Sequence, residues 1–239
     1  MFGWLTALLR PGLWLRDAHF RGAMADFEVD EKFSLKEVLV TFQSCLTDNE
    51  EVLVDSYVAG WKGLVRFMNS LGPIFSFISK DAVNKMQIMV NHRNGENGDK
   101  YLTIQSMIQY ELNNNLVDLK KRGDYSESGC RTILRLHRAL LWLKLFLEKL
   151  RTSSEDDKTS IMCTEAYNDS LAEHHGWVIK KAATMAFYAL PVRATFFEVM
   201  NVGSQEQVVS MLGEAVPLIF KVHEITENLY SQNNLLELP

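Results

Sequence analysis

Four residues that suit anion binding share one stripe of a helix that the sequence predicts over residues 131–150. At about 100° per residue they point the same way, between strips of leucine. They are Arg131, Arg135, Arg138 and Trp142. Burying a guanidinium is costly unless an acid pairs with it or an anion binds it, and its fork of donors suits phosphate or carboxylate. The stripe therefore predicts either an anion site or an ion-pair network with acids from a neighbouring helix.

A second polar stripe on the same predicted helix contains His137, Lys144 and Glu148. It runs beside the apolar face formed by Ile133, Leu140 and their neighbours. A helix at a protein surface normally shows one polar side to water. We therefore expect this second stripe to face solvent.

Two further groups carry polar chemistry. Asp81 and Lys85 are spaced i, i+4 with the acid first, which is typical of a surface ion pair on a helix. The stretch from His174 to Trp177 lies between two predicted helices. One of its imidazoles could donate to a buried carbonyl, or it could cap or pack.

Catalytic and metal-binding patterns are missing from the sequence. It contains no glycine-rich phosphate loop and no nucleophile elbow, and His223-Glu224 lacks the second histidine of a zinc-protease helix. The three cysteines, Cys45, Cys130 and Cys163, have no paired spacing, so we expect reduced, buried thiols. We predict no catalytic residues, no metal, no cofactor and no enzymatic activity.

The composition is that of an ordinary globular protein. The chain has 239 residues, 47% of them hydrophobic, and a formal net charge of −5. That charge argues against a chain-wide nucleic-acid surface, which is normally basic. No run of about 18 uncharged apolar residues suggests a transmembrane helix.

The pattern of apolar residues indicates an all-α fold. Prolines are few, apolar residues recur at i, i+3 and i+4, and no strand-like alternation occurs. The predicted helices cover residues 35–46, 50–71, 74–90, 101–121, 131–150, 160–174, 177–189, 193–200 and 205–230. We assign residues 30–239 to one domain and 1–29 to a poorly ordered extension. The first 25 residues are basic and acid-poor, typical of a weak mitochondrial presequence or a membrane-surface helix. Equally, they could be a non-structural extension before an internal start at Met24.

Four blocks of sequence resemble the glycolipid transfer protein superfamily, and more closely its branch that transfers ceramide 1-phosphate. They are DSYVAGWKGLVRFMNSLG at 55–72, IFSFISKDAVNK at 74–85, SGCRTILRLHRALLW at 128–142 and LLELP at 235–239. The resemblance runs from about residue 33 to the end. It implies a two-layer helical sandwich that holds one sphingolipid, with its tails inside and its headgroup at the surface.

The resemblance also implies roles for individual residues. Family residues that hold the ceramide amide match Asp81 and His175, and the headgroup tryptophan matches Trp142. The phosphate-holding positions match Lys85, Arg131 and Arg135. Arg138 stays open between ligand contact and internal pairing.

The branch is indicated by a change beside the aspartate. Sugar-binding members carry Asp-x3-Asn-x2-Lys, where this chain has Asp81, Lys85 and Ile88. A cation thus replaces an amide that could contact sugar hydroxyls. The two arginine positions, Arg131 and Arg135, are small or apolar in the sugar binders. All these changes favour a phosphate.

We therefore expect a monomeric, non-enzymatic carrier of ceramide 1-phosphate that visits membrane surfaces transiently. The alternatives are a lipid-binding sensor or interaction module, and a carrier of neutral glycosphingolipid. The expected tail contacts, chosen from apolar faces, are Leu35, Leu39, Phe42, Phe67, Phe77, Ile78, Phe146 and Val178. The expected membrane contacts are Lys120, Lys121, Arg122 and Trp177. The basic triplet could instead complement a helix dipole, and the tryptophan could belong to the core.

The resemblance implies a cytosolic protein that associates peripherally with trans-Golgi and plasma membranes, with the nucleus as a further location. Residues 1–25 leave a mitochondrial alternative.

Overall fold

The computed structural model describes residues 32–120 and 127–239, apart from the side chains at 73, 74, 77 and 78. The expected extension at 1–29 lies outside these residues. The helices are α1 Leu35–Gln43, α2 Val54–Ser70, α3 Pro73–Asn94, α4 Ile104–Asn113, α5 Gly129–Thr152, α6 Thr159–Asn168, α7 Trp177–Phe187, α8 Arg193–Val199 and α9 Gln205–Gln232. Two 3₁₀ turns, Gly98–Tyr101 and Leu171–His174, join them.

The helical prediction is confirmed, while several helix ends differ. The helix expected over 101–121 is only Ile104–Asn113. It begins at Thr103, whose side chain accepts from the backbone N–H of Ser106. It ends near Asn115, which adopts a left-handed φ of 53°. Asparagine tolerates that conformation, which stops a helix.

The helix expected over 160–174 is also divided. Helix α6 ends at Asn168, and the chain then forms the 3₁₀ turn Leu171–His174. This change of direction brings His175 to the side of α5, because the turn packs against that helix.

The helices enclose one apolar core. Helix α1 packs on α2, α2 on α3, α3 on α5, α5 on α9 and α9 on α1, so the packing forms a closed circuit. Helices lie on both sides of the core, which is the expected two-layer sandwich. The core contains large side chains such as Trp61, Phe67 and Phe196. Each such apolar side chain contributes roughly 1.5–3 kcal/mol when fully buried.

The three cysteines behave as expected. Cys45, Cys130 and Cys163 are free and buried. Burial raises the pKa of Cys45 to about 12, and it also raises the pKa of the other two thiols. All three are therefore protonated near neutral pH.

Among the described helices, none is long and apolar enough to cross a membrane.

Candidate functional site

Helix α3 carries the first predicted pair. Lys85 Nζ donates to Asp81 Oδ2, so the i, i+4 ion pair is confirmed. Both side chains are partly buried, so the contact is shielded from water more than a surface pair would be. Helix α3, which carries this pair, packs directly on α5, which carries the arginine stripe.

The predicted phosphate arginines lie in the first two turns of α5. Arg131 is only 1% exposed, and its Nη2 donates to the carbonyl oxygen of Asp118. Arg135 Nη2 donates to the backbone oxygen of Pro239 at 3.0 Å. Ser128 caps the helix by accepting from the backbone N–H of Arg131. Two guanidinium groups are thereby fixed one turn apart, and both contact backbone oxygens.

A buried carboxylate that sequence reasoning missed holds the start of this helix. Glu111 of α4 accepts from the backbone N–H groups of Gly129 at 2.5 Å and Cys130 at 2.9 Å. Its Oε1 also accepts from the Tyr101 hydroxyl at 3.0 Å. Negative charge is favourable at a helix N-terminus, where N–H groups have no intrahelical acceptor. Glu111 therefore positions the turn from which Arg131 projects. No local sequence signal distinguishes it from other helical acids.

Arg138 makes an internal contact. Its Nη2 donates to the carbonyl oxygen of Leu236, in the segment that follows α9. Burial lowers the pKa of the Arg138 guanidinium, although Glu237 and Glu173 nearby raise it. This contact is to a backbone oxygen, as are the described contacts of Arg131 and Arg135, and Arg138 stays open between ligand contact and internal pairing.

His175 lies between the 3₁₀ turn and α7. Its Nδ1 is 2.7 Å from the hydroxyl of Tyr167 on α6. Burial, followed by the charges of His174 and Lys180, lowers the pKa of His175 to about 4. The imidazole is therefore neutral near pH 7. Burial and the charge of Arg138 lower the pKa of His174 beside it. The 3₁₀ turn packs against α5, the helix that carries the arginine stripe.

Trp142 joins the arginine helix to the histidine through aromatic contacts. Its ring stacks on Phe187 of α7 with centroids 5.8 Å apart. Phe187 meets Tyr167 edge-on at 5.5 Å, and Tyr167 contacts His175. Tyr167 and Phe187 were not singled out from the sequence. The structure thus brings Trp142 and His175 into one cluster.

The second polar stripe of α5 does not face solvent, so that prediction is wrong. His137 is 2% exposed and Lys144 is also buried, because α9 packs over this side of α5. Lys144 Nζ lies 3.8 Å from the ring centroid of Phe220, a cation–π contact. Glu148 is partly buried and pairs with Arg151.

His137 of this stripe lies in a cluster of three potential metal ligands. Ligand atoms of His137, His223 and Glu227 lie within 4.8 Å of one another. The two imidazoles, however, stack at 3.9 Å with 16° between their planes. Their in-plane lone pairs therefore run side by side, whereas a tetrahedral ion needs them to converge. His137 Nε2 also donates to Glu227 at 2.5 Å. We assign the cluster a structural role.

The predicted tail contacts are divided between core and surface. Leu35, Phe42, Phe67 and Phe146 are buried in the core, and Leu39 is partly buried against it. Val178, in contrast, is exposed on α7. The side chains of Phe77 and Ile78 lie outside the described part of the structure.

The predicted membrane contacts divide similarly. Trp177 is 71% exposed, so its alternative assignment to the core is wrong. Lys120 is exposed, and its backbone N–H donates to Asp118. Because α4 ends at Asn113, Lys120 is not part of a helix C-terminus. Lys121 and Arg122 lie outside the described residues.

Comparison with known proteins gives a consistent result. The family model described as glycolipid transfer protein matches residues 52–202. A ceramide-1-phosphate transfer protein of Xenopus tropicalis is 66% identical over 211 residues, which cover 88% of this chain and 98% of the relative. The crystal structure of mouse ceramide-1-phosphate transfer protein without ligand matches with a TM-score of 0.85 and 57% identity, covering 87% of this chain and all of the mouse chain. The human protein in complex with 2:0 ceramide 1-phosphate matches with a TM-score of 0.84 and 56% identity, covering 87% and 100% of the two chains.

Proposed function

This chain belongs to the glycolipid transfer protein family, and from that premise we propose that it is a non-enzymatic carrier of ceramide 1-phosphate between membranes. The observation that carries the proposal is the likeness, over 87% of this chain and all of the human chain, to the human protein in complex with 2:0 ceramide 1-phosphate. The relatives named ceramide-1-phosphate transfer proteins support the same lipid class.

We propose that Lys85, Arg131 and Arg135 bind the phosphate. Charge-assisted hydrogen bonds to phosphate contribute roughly 1.5–3 kcal/mol each. The described contacts of these side chains are to the Asp81 carboxylate and to backbone oxygens. A phosphate dianion is a strong acceptor for all three cations.

We assign recognition of the ceramide amide to Asp81 and His175. An amide offers an N–H donor and a carbonyl acceptor, so a carboxylate and an imidazole N–H complement it. A diacyl phospholipid lacks this amide. The pair would therefore supply selectivity for a sphingolipid, while the phosphate site supplies selectivity over neutral glycolipids.

The two lipid tails would supply most of the binding free energy. Each buried methylene contributes about 0.8 kcal/mol. The buried members of the predicted tail set are packed in the core: Leu35, Phe42, Phe67 and Phe146. Tail entry in this proposal requires the core to open between the layers.

Lipid exchange needs contact with a bilayer, and α7 offers a surface for it. Trp177 at its start, Met185 near its end and Tyr188 just after it are all strongly exposed. Lys180 and Lys181 are exposed on the same helix. Aromatic and basic side chains together are typical of a membrane interface. Because α7 begins two residues after His175, a bilayer bound there would lie close to the proposed headgroup site.

A fluorescent-lipid transfer assay tests the proposal. Donor and acceptor vesicles are mixed with the full chain, and ceramide 1-phosphate is compared with a neutral glycosylceramide. We expect transfer of the phosphate lipid and little transfer of the glycolipid. The double variant Arg131→Leu, Arg135→Leu should lose at least about 100-fold of the activity, since each guanidinium contributes 1.5 kcal/mol or more.

Lys149→Leu is the matched control, because it removes a cation from the same helix where the lysine pairs with Glu165. It should transfer at the unaltered rate. Equal transfer of both lipids, or an active arginine double variant, would contradict the assignment. Tight lipid binding without transfer between vesicles would instead identify a lipid sensor.

We further propose, from the family resemblance, that the carrier works at the cytosolic faces of trans-Golgi and plasma membranes. Imaging of the tagged full chain in cells tests this. A version that starts at Met24 shows whether the first residues direct it to mitochondria.

A further inference from the structure

The hydroxyl of Tyr167 lies within hydrogen-bond distance of His175, where it can decide which imidazole nitrogen carries the proton. Tyr167 is buried, and its ring packs edge-on against Phe187 with the ring centroids 5.5 Å apart. The backbone N–H of His175 donates to Ala172 at 3.0 Å, which fixes the chain on the other side. The 2.7 Å contact between the hydroxyl and Nδ1 thus joins two constrained groups.

The direction of this hydrogen bond follows from the two groups. A neutral imidazole has one N–H donor and one bare nitrogen acceptor. Burial raises the pKa of Tyr167 to about 12, so the phenol keeps its proton. Burial keeps His175 neutral at pH 7, as described above. A phenol O–H is a good donor and a bare imidazole nitrogen a strong acceptor, whereas a phenol oxygen is a poor acceptor. The favoured arrangement is O–H donating to Nδ1.

We propose that Tyr167 is a positioning and specificity-determining residue: by donating to Nδ1, it holds the His175 proton on Nε2 and makes that nitrogen a donor for a ligand carbonyl. The inference rests on the proposed function and deepens it, since the carbonyl in question is that of the ceramide amide. If the proton were on Nδ1 instead, the bare Nε2 would face the amide carbonyl oxygen, and neither group could donate to the other. The amide would then lose one of its two contacts.

The tautomer can be measured without any lipid. Imidazole ¹⁵N chemical shifts of the lipid-free full chain, labelled at histidine, separate protonated from bare nitrogens. We expect His175 to show a bare Nδ1 and a protonated Nε2. In Tyr167→Phe the two nitrogens should move toward averaged shifts. A protonated Nδ1 in the unaltered chain overturns the proposal, even if the variant fails to fold.

Lipid binding supplies the functional readout. Ceramide 1-phosphate and a dialkyl ether phosphatidate of equal tail length, which has no carbonyl, each compete with a bound fluorescent ceramide 1-phosphate. Tyr167→Phe should weaken ceramide 1-phosphate binding roughly 3- to 10-fold, as expected for one hydrogen bond, and leave phosphatidate binding unchanged. Tyr110→Phe is the control, since Tyr110 packs on Tyr101 in another part of the fold. Equal weakening of both lipids would show a merely structural role and overturn the proposal.

Repeating the Tyr167→Phe substitution in a His175→Gln variant separates an effect of Tyr167 on the His175 tautomer from an effect on packing. In His175→Gln the side-chain amide is a donor that has no tautomers, so Tyr167→Phe should have no further effect on ceramide 1-phosphate binding there. An undiminished effect would overturn the inference. If the unaltered chain binds no ceramide 1-phosphate, the proposed function fails, while the ¹⁵N shifts still report the tautomer.

Discussion

Helix α5 carries buried polar side chains on two sides, and the two sides are completed in different ways. Arg131 and Arg135 face the Asp118 region and the end of the chain, where their described contacts are backbone oxygens. His137 and Lys144 face α9, where they meet Glu227 and an aromatic ring. Burial alone therefore does not separate a ligand site from a structural network.

The described partners on the two sides differ in type. On the α9 side Glu227 accepts from His137, and the rings of His137 and His223 stack, so an added anion would compete with a carboxylate. Backbone oxygens are moderate partners for a guanidinium, and a phosphate would be a stronger one. The α9 side is thus suited to hold α5 and α9 together, whereas the arginine side is where we propose that the phosphate binds.

The largest effect on stability is expected at the N-terminus of α5. The Glu111 carboxylate holds this helix end, and both polar sides of α5 depend on it. Glu111→Leu would leave the N–H groups of Gly129 and Cys130 without their acceptor. The free energy of unfolding should fall by about 3 kcal/mol or more, measured by urea denaturation. Glu165→Leu, which breaks an exposed pair with Lys149, should cost less than about 1 kcal/mol. Similar losses in both variants would show that Glu111 is not an anchor.

The next prediction sharpens the boundary of the arginine side. Arg135→Leu should lower ceramide 1-phosphate transfer about 10- to 100-fold, because it removes a proposed phosphate contact. Arg138→Leu removes a bond to the Leu236 carbonyl and should lower transfer by a few-fold at most. Transfer assays on both variants, with thermal unfolding as a check of folding, decide this. A larger loss of transfer for Arg138→Leu than for Arg135→Leu would indicate that the phosphate binds one turn further along α5.

A third prediction concerns the side that faces α9. His137→Leu removes the donor to Glu227 and the ring stacked on His223. We expect a loss of about 1–2 kcal/mol in the free energy of unfolding, since the carboxylate is half exposed and can turn to water. Transfer per folded molecule should stay unchanged. A selective loss of transfer would make this side part of the binding site.

The smallest effect is expected from pH. The pKa of His223 falls from 6.5 to about 3, chiefly through burial and then through His137 and Lys144. Between these values the unfolded chain binds more protons than the folded one, so stability should fall as pH drops below about 6.5. His175 acts in the same direction. Urea unfolding between pH 7.5 and 5.5 should show this decline, and His223→Gln should reduce it. An unchanged slope would contradict the burial of a neutral histidine.

Much of this architecture is local enough to be predicted. The helices appear where 3.6-residue periodicity places them, and the arginine stripe of α5 lies on one face as expected. The ends of helices were less predictable. The early stop of α4 depends on the left-handed conformation of Asn115, and the division of α6 from the turn before His175 depends on tertiary packing.

The sequence alone determined that the chain is helical, that its cysteines are unpaired and that α5 carries two polar stripes. It also placed Asp81 beside Lys85, because an i, i+4 spacing fixes neighbours on a helix. Only the tertiary structure decided that α9 covers His137 and Lys144, that Glu111 reaches the start of α5, and that Tyr167 contacts His175. Periodicity gives the direction in which a side chain points, whereas its partner is set by which helix packs there.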